Sequence, residues 1–392
     1  MPFGSMTTEE EGPIQILQLI HSGAIGGGPR VVYDLATHFN QGIWRSIVIC
    51  SDDGPLRERL QSQGVRVVAM NMATKWRALA SIPALTRTIR HINPRLIHVH
   101  GQFAGFVGGI AARLAGYSDV IYTAHFPSFV TDWDLWRCLR NSVVEKVSCR
   151  CAKSLVCVCR ADLEEYIRRG LVSTHNSGVI YNGVAIEAFS GGSPRLESTA
   201  PGALVQASPV LGFVGRLTDQ KGVDVLLRAL PTVQQHYARS VLLIAGDGPL
   251  RQSLENLTRK LGIEQAVRFL GFHQDVPRFL TEVDLLVVPS LYEPFGFVAL
   301  EGMASGTPVV ASQVGGLSES VVDGVTGKLV PAGDPAALAK AVVEMLADPV
   351  RAHAMGLAGK ERVQRHFSRQ AMLGEYERVY RTLVYRTARE DG

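Results

Sequence analysis

No stretch of this chain reaches the ~18 uninterrupted apolar residues from which a membrane-spanning helix is built. The most apolar segment, Phe103 to Gly116, is short and carries Arg113, so no transmembrane helix is predicted. The first residues, MPFGSMTTEEEG, are acidic and lack the basic start of a secretory signal, which sets the expectation of a cytoplasmic protein. Cysteines are few, six in all. Cys149, Cys151, Cys157 and Cys159 crowd together, but as C-x-C rather than the C-x2-C pairs of a zinc ribbon. A buried strand over Ser154–Arg160 with Cys157 and Cys159 on one face accounts for two of them without a metal. Charge of either sign is nearly balanced at +4 overall. The excess lies in residues 1–190, with 19 Lys and Arg against 15 Asp and Glu, while residues 191–392 hold 21 of each. Nucleic-acid binders carry stronger basic stripes, so no nucleic-acid partner is expected; the mild excess suits anionic small molecules or a membrane surface. Two catalytic signatures are also missing. The Gly-rich Gly246-Asp247-Gly248-Pro249 lacks the G-K-[ST] ending of a Walker loop. No G-x-S-x-G elbow is present to support serine-hydrolase chemistry.

The balance that remains is globular, with 46% hydrophobic and 19% charged residues. At 392 residues, against a usual domain of about 100–200, the chain predicts two domains. Strand-like apolar runs alternate with helical periodicities from end to end. The first half offers strands at Ile14–Ile20, Ser46–Cys50, Val65–Met70, Leu96–His100, Val120–His125, 154–159 and Gly178–Tyr181. Helices intervene, among them Arg77–His91, Phe103–Ala115, 135–150 and 161–169. Residues 191–208, rich in Gly, Ser, Pro and Ala, read as a linker. The pattern then restarts, with strands at Val210–Val214, Val241–Ala245, Val267–Leu270, Leu285–Pro289, Val309–Ala311 and Lys328–Val330. The prediction is α/β: two doubly wound, Rossmann-like parallel-sheet domains, 1–190 and 209–369. A final amphipathic helix, about 370–392, is expected to pack back on the first. Ligands of such sheets bind at the carboxyl ends of the strands, and the expected site is the cleft between the domains.

Four clusters fall at strand ends, and each admits two readings. Gly26-Gly27-Gly28-Pro29 precedes a helix; it is an ordinary strand–helix turn or a loop that lets backbone approach a phosphate. Gly215-Arg216 and Lys221-Gly222 follow a strand; the two cations are a solvated basic loop or a clamp for a pyrophosphate leaving group. In Glu293-Pro-Phe-Gly-Phe-Val-Ala-Leu-Glu301 the first carboxylate lies in a loop. The second is placed about two turns into a helix beginning near Phe297. Carboxylates so spaced suit the hydroxyl pairs of a sugar, and the amides of Phe295, Gly296 and Phe297 are available at the helix start. The plain alternative is a helix N-terminal acid plus a surface acid. His125 ends an apolar strand and is structural or catalytic. His98 and His100 share a strand face, a pattern that a metal site also shows but here without a third ligand. Gly246 and its neighbours make a base- or ribose-side loop.

Taken in order, these clusters resemble the family 4 retaining glycosyltransferases of GT-B fold. The run is G-G-G near the start, T-A-H-F, Y-N-G-V at 181–184, F-V-G-R-L…K-G at 213–222 and A-G-D-G-P at 245–249. It continues with F-L-G-F at 269–272, E-P-F-G-F-V-A-L-E at 293–301, S-G-T-P-V-V-A-S at 305–312 and V-G-G-L-S-E at 314–319. V-D-G-V-T-G-K-L-V-P-A-G-D at 322–334 closes it. The resemblance is strongest over 210–335 and looser over 1–200, the acceptor side.

That resemblance implies roles. Arg216 and Lys221 would hold the donor pyrophosphate with no metal ion and no cofactor. Glu301 would bind the ribose hydroxyls. Glu293, with the amides of Phe295, Gly296 and Phe297, would bind the donor sugar, and His125 would lie near its 6-position and the reacting centre. Gly26, Gly27 and Gly28 would approach the donor phosphate or the acceptor, and Glu319 would line the site. Where the family often has a small residue and Glu after the glycines, this chain has Pro29-Arg30, and Arg30 either favours an anionic acceptor or faces solvent. The implied activity is transfer of a hexose from a nucleotide sugar, a UDP-sugar for preference, to a hydroxyl acceptor with retention and by a front-face mechanism. A sugar-nucleotide 2-epimerase of the same fold and a non-catalytic nucleotide-sugar-binding protein are the alternatives. Trp133, Trp136, Arg137, Arg140, Lys146, Arg150 and Lys153 on and beside helix 135–150 suit a lipid-linked acceptor and peripheral contact with an anionic membrane on its inner face, or a packed helix with a basic edge.

Overall fold

The structure, a computed structural model, describes residues 12–52, 54–72, 74–127, 135–189 and 208–390. The chain divides into two compact units. The first takes in the chain to Val158, Asp162–Ile180 and the segment from Leu373; the second takes in Cys159–Ala161 and Tyr181–Met372. All of the expected linker except Ser208 lies outside the described residues.

Among the described residues of the first unit, seven parallel strands form one sheet: β1 (Ile14–Ile20), β2 (Trp44–Cys50), β3 (Arg66–Ala69), β4 (Leu96–His100), β5 (Val120–Ala124), β6 (Ser154–Cys157) and β7 (Ser177–Val179). Their order is β3-β2-β1-β4-β5-β6-β7. The register runs directly from Ile16 opposite Leu96 to Ile20 opposite His100 across β1 and β4. Every residue of β4 and β5 is buried, because helices cover both faces, and for that reason the strands are mostly apolar, with His98, His100 and Thr123 as buried polar exceptions.

The second unit repeats the plan with β8 (Val210–Val214), β9 (Val241–Ala245), β10 (Val267–Gly271), β11 (Leu285–Val288), β12 (Val309–Ser312) and β13 (Lys328–Val330), ordered β10-β9-β8-β11-β12-β13. Its core joins Leu211, Phe213, Leu242, Ile244, Leu285 and Val287 of the sheet to Leu226, Leu230, Leu338 and Val342 of the covering helices. In each sheet the strand order reverses once, at β1/β4 and at β8/β11. Chain connections diverge at such points and open a crevice at the strands' carboxyl ends.

Three local expectations change. The single helix expected over Arg77–His91 is two, Lys75–Ala80 and Ile82–Ile92, with Ser81 between. Pro83 has no N–H to continue the first helix and is favoured in the first turn of a new one. The strand expected over 154–159 ends at Cys157, so Cys159 lies in the turn before the helix Arg160–Arg168 and does not share a strand face with Cys157. Finally, the helix after Glu293 does begin at Phe297, but Glu301 is then its fifth residue, one turn in and not two.

Candidate functional site

In the second unit the site residues sit in the loops that leave β8, β9, β11 and β12. After β8 the chain passes Gly215 and the exposed Arg216 and makes a short 3-10 turn at Asp219–Lys221. It then enters the helix Val223–His236 through Gly222. That glycine has φ +60°, and a Cβ on it would stand 2.2 Å from the Pro289 carbonyl oxygen. The close approach holds the β8 loop against the end of β11 and brings Lys221 to Glu293. Lys221 Nζ donates to Glu293 Oε2 at 2.5 Å, and Ser290 Oγ donates to the same oxygen at 3.2 Å. Both partners of the ion pair are largely out of water, with side chains 22% and 11% exposed.

Backbone contacts lock the neighbouring loops. A Cβ on Gly246, after β9, would lie 1.8 Å from the Gly215 carbonyl oxygen. Gly246 N donates instead to Gly271 O at 2.7 Å, and Leu217 N to Asp247 O at 3.0 Å. The β12 loop lies on the Glu293 loop: Gly316 N donates to Glu293 O at 3.0 Å, and a Cβ on Gly315 would come within 2.2 Å of that oxygen. Gly296, at φ +90°, turns the chain into the helix Phe297–Ser305, which carries buried Glu301. The amides of Phe295 and Gly296 donate to no group among the described residues. The Arg216 guanidinium makes no ion pair or hydrogen bond among them either.

The structure gives Glu319 a partner set of its own. Its carboxylate accepts from the amides of Arg160 and Ala161, each at 3.0 Å, and from the Tyr181 hydroxyl at 2.8 Å. Burial, with help from this carboxylate, pushes the Tyr181 hydroxyl up to about 12. Glu319 lines a cavity of about 420 Å³ with Arg160, Tyr181, Arg362, His366 and Phe367. Arg362 is held there by the carbonyls of Ser320 and Glu319, both at 2.8 Å.

In the first unit, Gly27 and Gly28 open the helix Gly27–His38 with Gly26 as its cap, and Arg30 N donates to Gly26 O at 3.2 Å. Gly28 faces His125: a Cβ there would be 3.1 Å from the ring. His125 follows β5 directly. Its Nε2 is 3.2 Å from His100 Nδ1, and the two rings stack at 5.5 Å. Burial lowers the His125 pKa to about 4, so the ring is neutral at physiological pH. His98 and His100 do share a face, with rings 3.8 Å apart. Both nitrogens of His98 are already in use, Nδ1 with the Tyr380 hydroxyl at 2.6 Å and Nε2 with Thr123 Oγ1 at 2.7 Å. Among the described residues no three His, Cys, Asp or Glu are grouped so as to hold a metal.

Sequence reasoning passed over Ser290, the contact of Glu319 with Arg160 and Ala161, and the use of His98 by Tyr380. The one sequence signal for the last was the pair of tyrosines, Tyr376 and Tyr380, one helical turn apart and both fully buried.

Comparison with known proteins settles the family. The family described as Glycosyltransferase Family 4 matches residues 25–188, and Glycosyl transferases group 1 matches 208–348. A D-inositol 3-phosphate glycosyltransferase of Corynebacterium diphtheriae is 32% identical over 305 residues, covering 74% of this chain and 71% of that protein. This chain belongs to the family 4, group 1 glycosyltransferases of GT-B fold. The family 4 chain is also 28% identical over 314 residues to the Escherichia coli UDP-Gal:alpha-D-GlcNAc-diphosphoundecaprenol alpha-1,3-galactosyltransferase, covering 77% of this chain and 80% of that one. The crystal structure of Anabaena HepE in complex with UDP-glucose matches with a TM-score of 0.82 and 25% identity, over 94% of this chain and 100% of that one. With other curated relatives the shared stretch is shorter, 35% to 47% of their length.

Proposed function

We propose that this protein transfers a hexose from a UDP-sugar to a hydroxyl acceptor with retention of anomeric configuration and without a metal ion. The observation that carries the proposal is the Lys221–Glu293 pair, held in loops that flank the β8/β11 reversal of a family 4 chain. A diphosphate needs fixed positive charge where its negative charge grows on departure, and Lys221 and the exposed Arg216 are proposed to supply it. The sugar hydroxyls fall to Glu293 and to the undonated amides of Phe295 and Gly296, with Phe297 completing the helix start. Glu301 takes the ribose hydroxyls, each carboxylate oxygen accepting from one O–H. Gly246 keeps the β9 loop narrow beside the Arg216 loop.

His125 is proposed to serve as a neutral hydrogen-bond partner near the reacting carbon, with the glycine loop Gly26–Gly28 beside it. Arg30 is assigned to an anionic part of the acceptor. In the front-face step the acceptor oxygen bonds to the anomeric carbon on the face from which the phosphate oxygen departs. The acceptor proton passes to that phosphate oxygen. The neighbour that binds UDP-glucose and the relative named for an undecaprenol-linked acceptor support the donor and a lipid-linked acceptor respectively. Such an acceptor would place the enzyme at the cytoplasmic surface of a membrane, and no described helix is long and apolar enough to cross one.

Proton NMR of the full chain with a panel of nucleotide sugars in EDTA tests this reading. Slow release of a sugar whose first anomeric signal keeps the donor's configuration is the expected result. Conversion of the donor to its 2-epimer would replace the proposal with an epimerase. UDP binding with no turnover, even with membrane extract supplied as acceptor, would replace it with a binding protein.

A further inference from the structure

Four helices of the first unit pack on one another as a single layer: Lys75–Ala80, Ile82–Ile92, Gln102–Ala115 and Leu135–Cys151. Their sequences contain one acid, Glu145, and it is fully buried with its Oε2 on the Tyr122 hydroxyl at 2.7 Å. Between Glu58 and Asp119 the chain has no acid at all. Arg77, Arg87, Arg113, Arg140, Lys146 and Arg150 of the same helices are at the surface. A charge distribution this one-sided favours an anionic partner.

The same layer exposes large apolar side chains. On the helix Leu135–Cys151, Trp136, Leu139 and Val143 are 78%, 55% and 55% exposed. They recur at helical spacing, and Arg140, Lys146 and Arg150 continue their stripe toward the helix end. On Lys75–Ala80, Trp76 and Leu79 are 81% and 39% exposed and lie three residues apart. Trp133 and the side chain of Arg137 lie outside the described residues.

We infer that this helical layer docks on a lipid bilayer that carries anionic headgroups. Trp76, Leu79, Trp136, Leu139 and Val143 enter the headgroup boundary, and the surrounding arginines and lysines meet the lipid phosphates. Tryptophan suits that depth, with an apolar ring and one N–H for a polar neighbour. Basic residues without apolar ones would fit a polyanion such as nucleic acid equally well. The apolar stripe decides between them, because a bilayer offers a nonpolar phase and a nucleic acid does not. The inference gives the peripheral contact suggested above a surface, and it extends that surface to a second helix. It does not depend on the donor chemistry.

The test is co-sedimentation of the full chain with phosphatidylcholine vesicles, with and without phosphatidylglycerol, in the absence of any nucleotide sugar. Brominated lipid then reports tryptophan insertion by quenching. Binding to the anionic vesicles at least about tenfold above the neutral ones, with quenching, is expected. Trp136→Ser and, on the other helix, Trp76→Ser should each weaken it severalfold at an unchanged melting temperature, and Arg140→Glu with Lys146→Glu should reduce the anionic preference. Equal binding to both vesicles, no quenching, or parental binding by both tryptophan variants would overturn the inference. Duplex DNA bound as tightly as the vesicles, without quenching by lipid, would also overturn it and assign the face to a polyanion.

Discussion

Lys221 and Glu293 are 72 positions apart in sequence, yet the ammonium of one donates to the carboxylate of the other at 2.5 Å. Adjacency of β8 and β11 brings their loops together, and the glycine contact of Gly222 with Pro289 O fixes the approach. Neither side chain is well solvated, so removing one leaves a charge with reduced hydration and no partner. For fully buried pairs that costs about 3–5 kcal/mol, and the residual exposure here brings it to about 1–3 kcal/mol. Lys221→Ala and Glu293→Ala should each lower transfer at least ~100-fold while retaining the parental circular dichroism. The double variant should melt above the less stable single one, since it leaves no lone charge. Near-parental transfer by either single variant would show that the donor lies elsewhere.

Gly222→Ala tests the scaffold under that pair. Its φ of +60° is strained for a residue with a Cβ, and that Cβ would collide with backbone rather than with a movable side-chain tip. The loss should be about 2 kcal/mol or more, read as a clear drop in melting temperature. Added UDP should stabilise the variant less than the parent, because the Lys221 loop shifts with it. A variant that melts with the parent would mean that the loop relaxes freely and does not fix the ion pair.

Much of the framework was legible because the strands are covered on both faces. The residues of β4, β5 and β11 are mostly apolar, and the exceptions turn inward, His98 to Thr123 and His100 to His125. Pro83 marked a helix boundary that periodicity alone ran through, since Leu85 and Ile89 continue the apolar spacing. The components of the proposed donor region were visible as motifs, but their pairing was not. Which loop faces which follows from strand order, and strand order is not written in local spacing. Glu319 shows the same gap: two of the three polar partners of its carboxylate are the Arg160 and Ala161 amides, more than 150 positions earlier in the chain. His98 and His100 were correctly placed on one face, but only tertiary contacts show what their Nδ1 atoms do, His98 with Tyr380 and His100 with His125.

The two amides on Glu319 are the first of the helix Arg160–Arg168, where backbone donors have no intrahelical acceptor. The carboxylate therefore caps that helix from a distant segment, with charge assistance. Glu319→Ala should cost about 1–2 kcal/mol, and Glu319→Gln less, because one oxygen remains to accept an amide. The Tyr181 hydroxyl, held up to about 12 by burial and by this carboxylate, should titrate lower in the alanine variant. Ultraviolet titration against a Tyr181→Phe control measures it. An unchanged tyrosine titration and melting temperature would mean that water replaces the carboxylate at no cost.

Buried groups of the first unit set opposing pH dependences. Burial lowers the His125 pKa from 6.5 to about 4, and lowers those of His98 and His100 well below 6.5. As pH falls from 6.5 toward 4, the unfolded chain takes protons that the folded chain refuses, so stability is lost on acidification. Glu145 runs the other way. Burial raises its pKa from 4.5 to about 7, against the Tyr122 hydrogen bond that favours the ionised form. From pH 4.5 to about 7 the folded chain keeps a proton that the unfolded chain has released, so this group costs stability as pH rises. Glu145→Gln removes that second dependence while keeping an oxygen for Tyr122. Relative to the parent, the variant should gain on the order of 3 kcal/mol between pH 4.5 and pH 8, read from paired melts across that range. The acid-side loss from the histidines should remain in both proteins. A difference between the two that does not change with pH would mean that Glu145 titrates in the fold as it does in the unfolded chain, and that its buried site is wetter than its contacts imply.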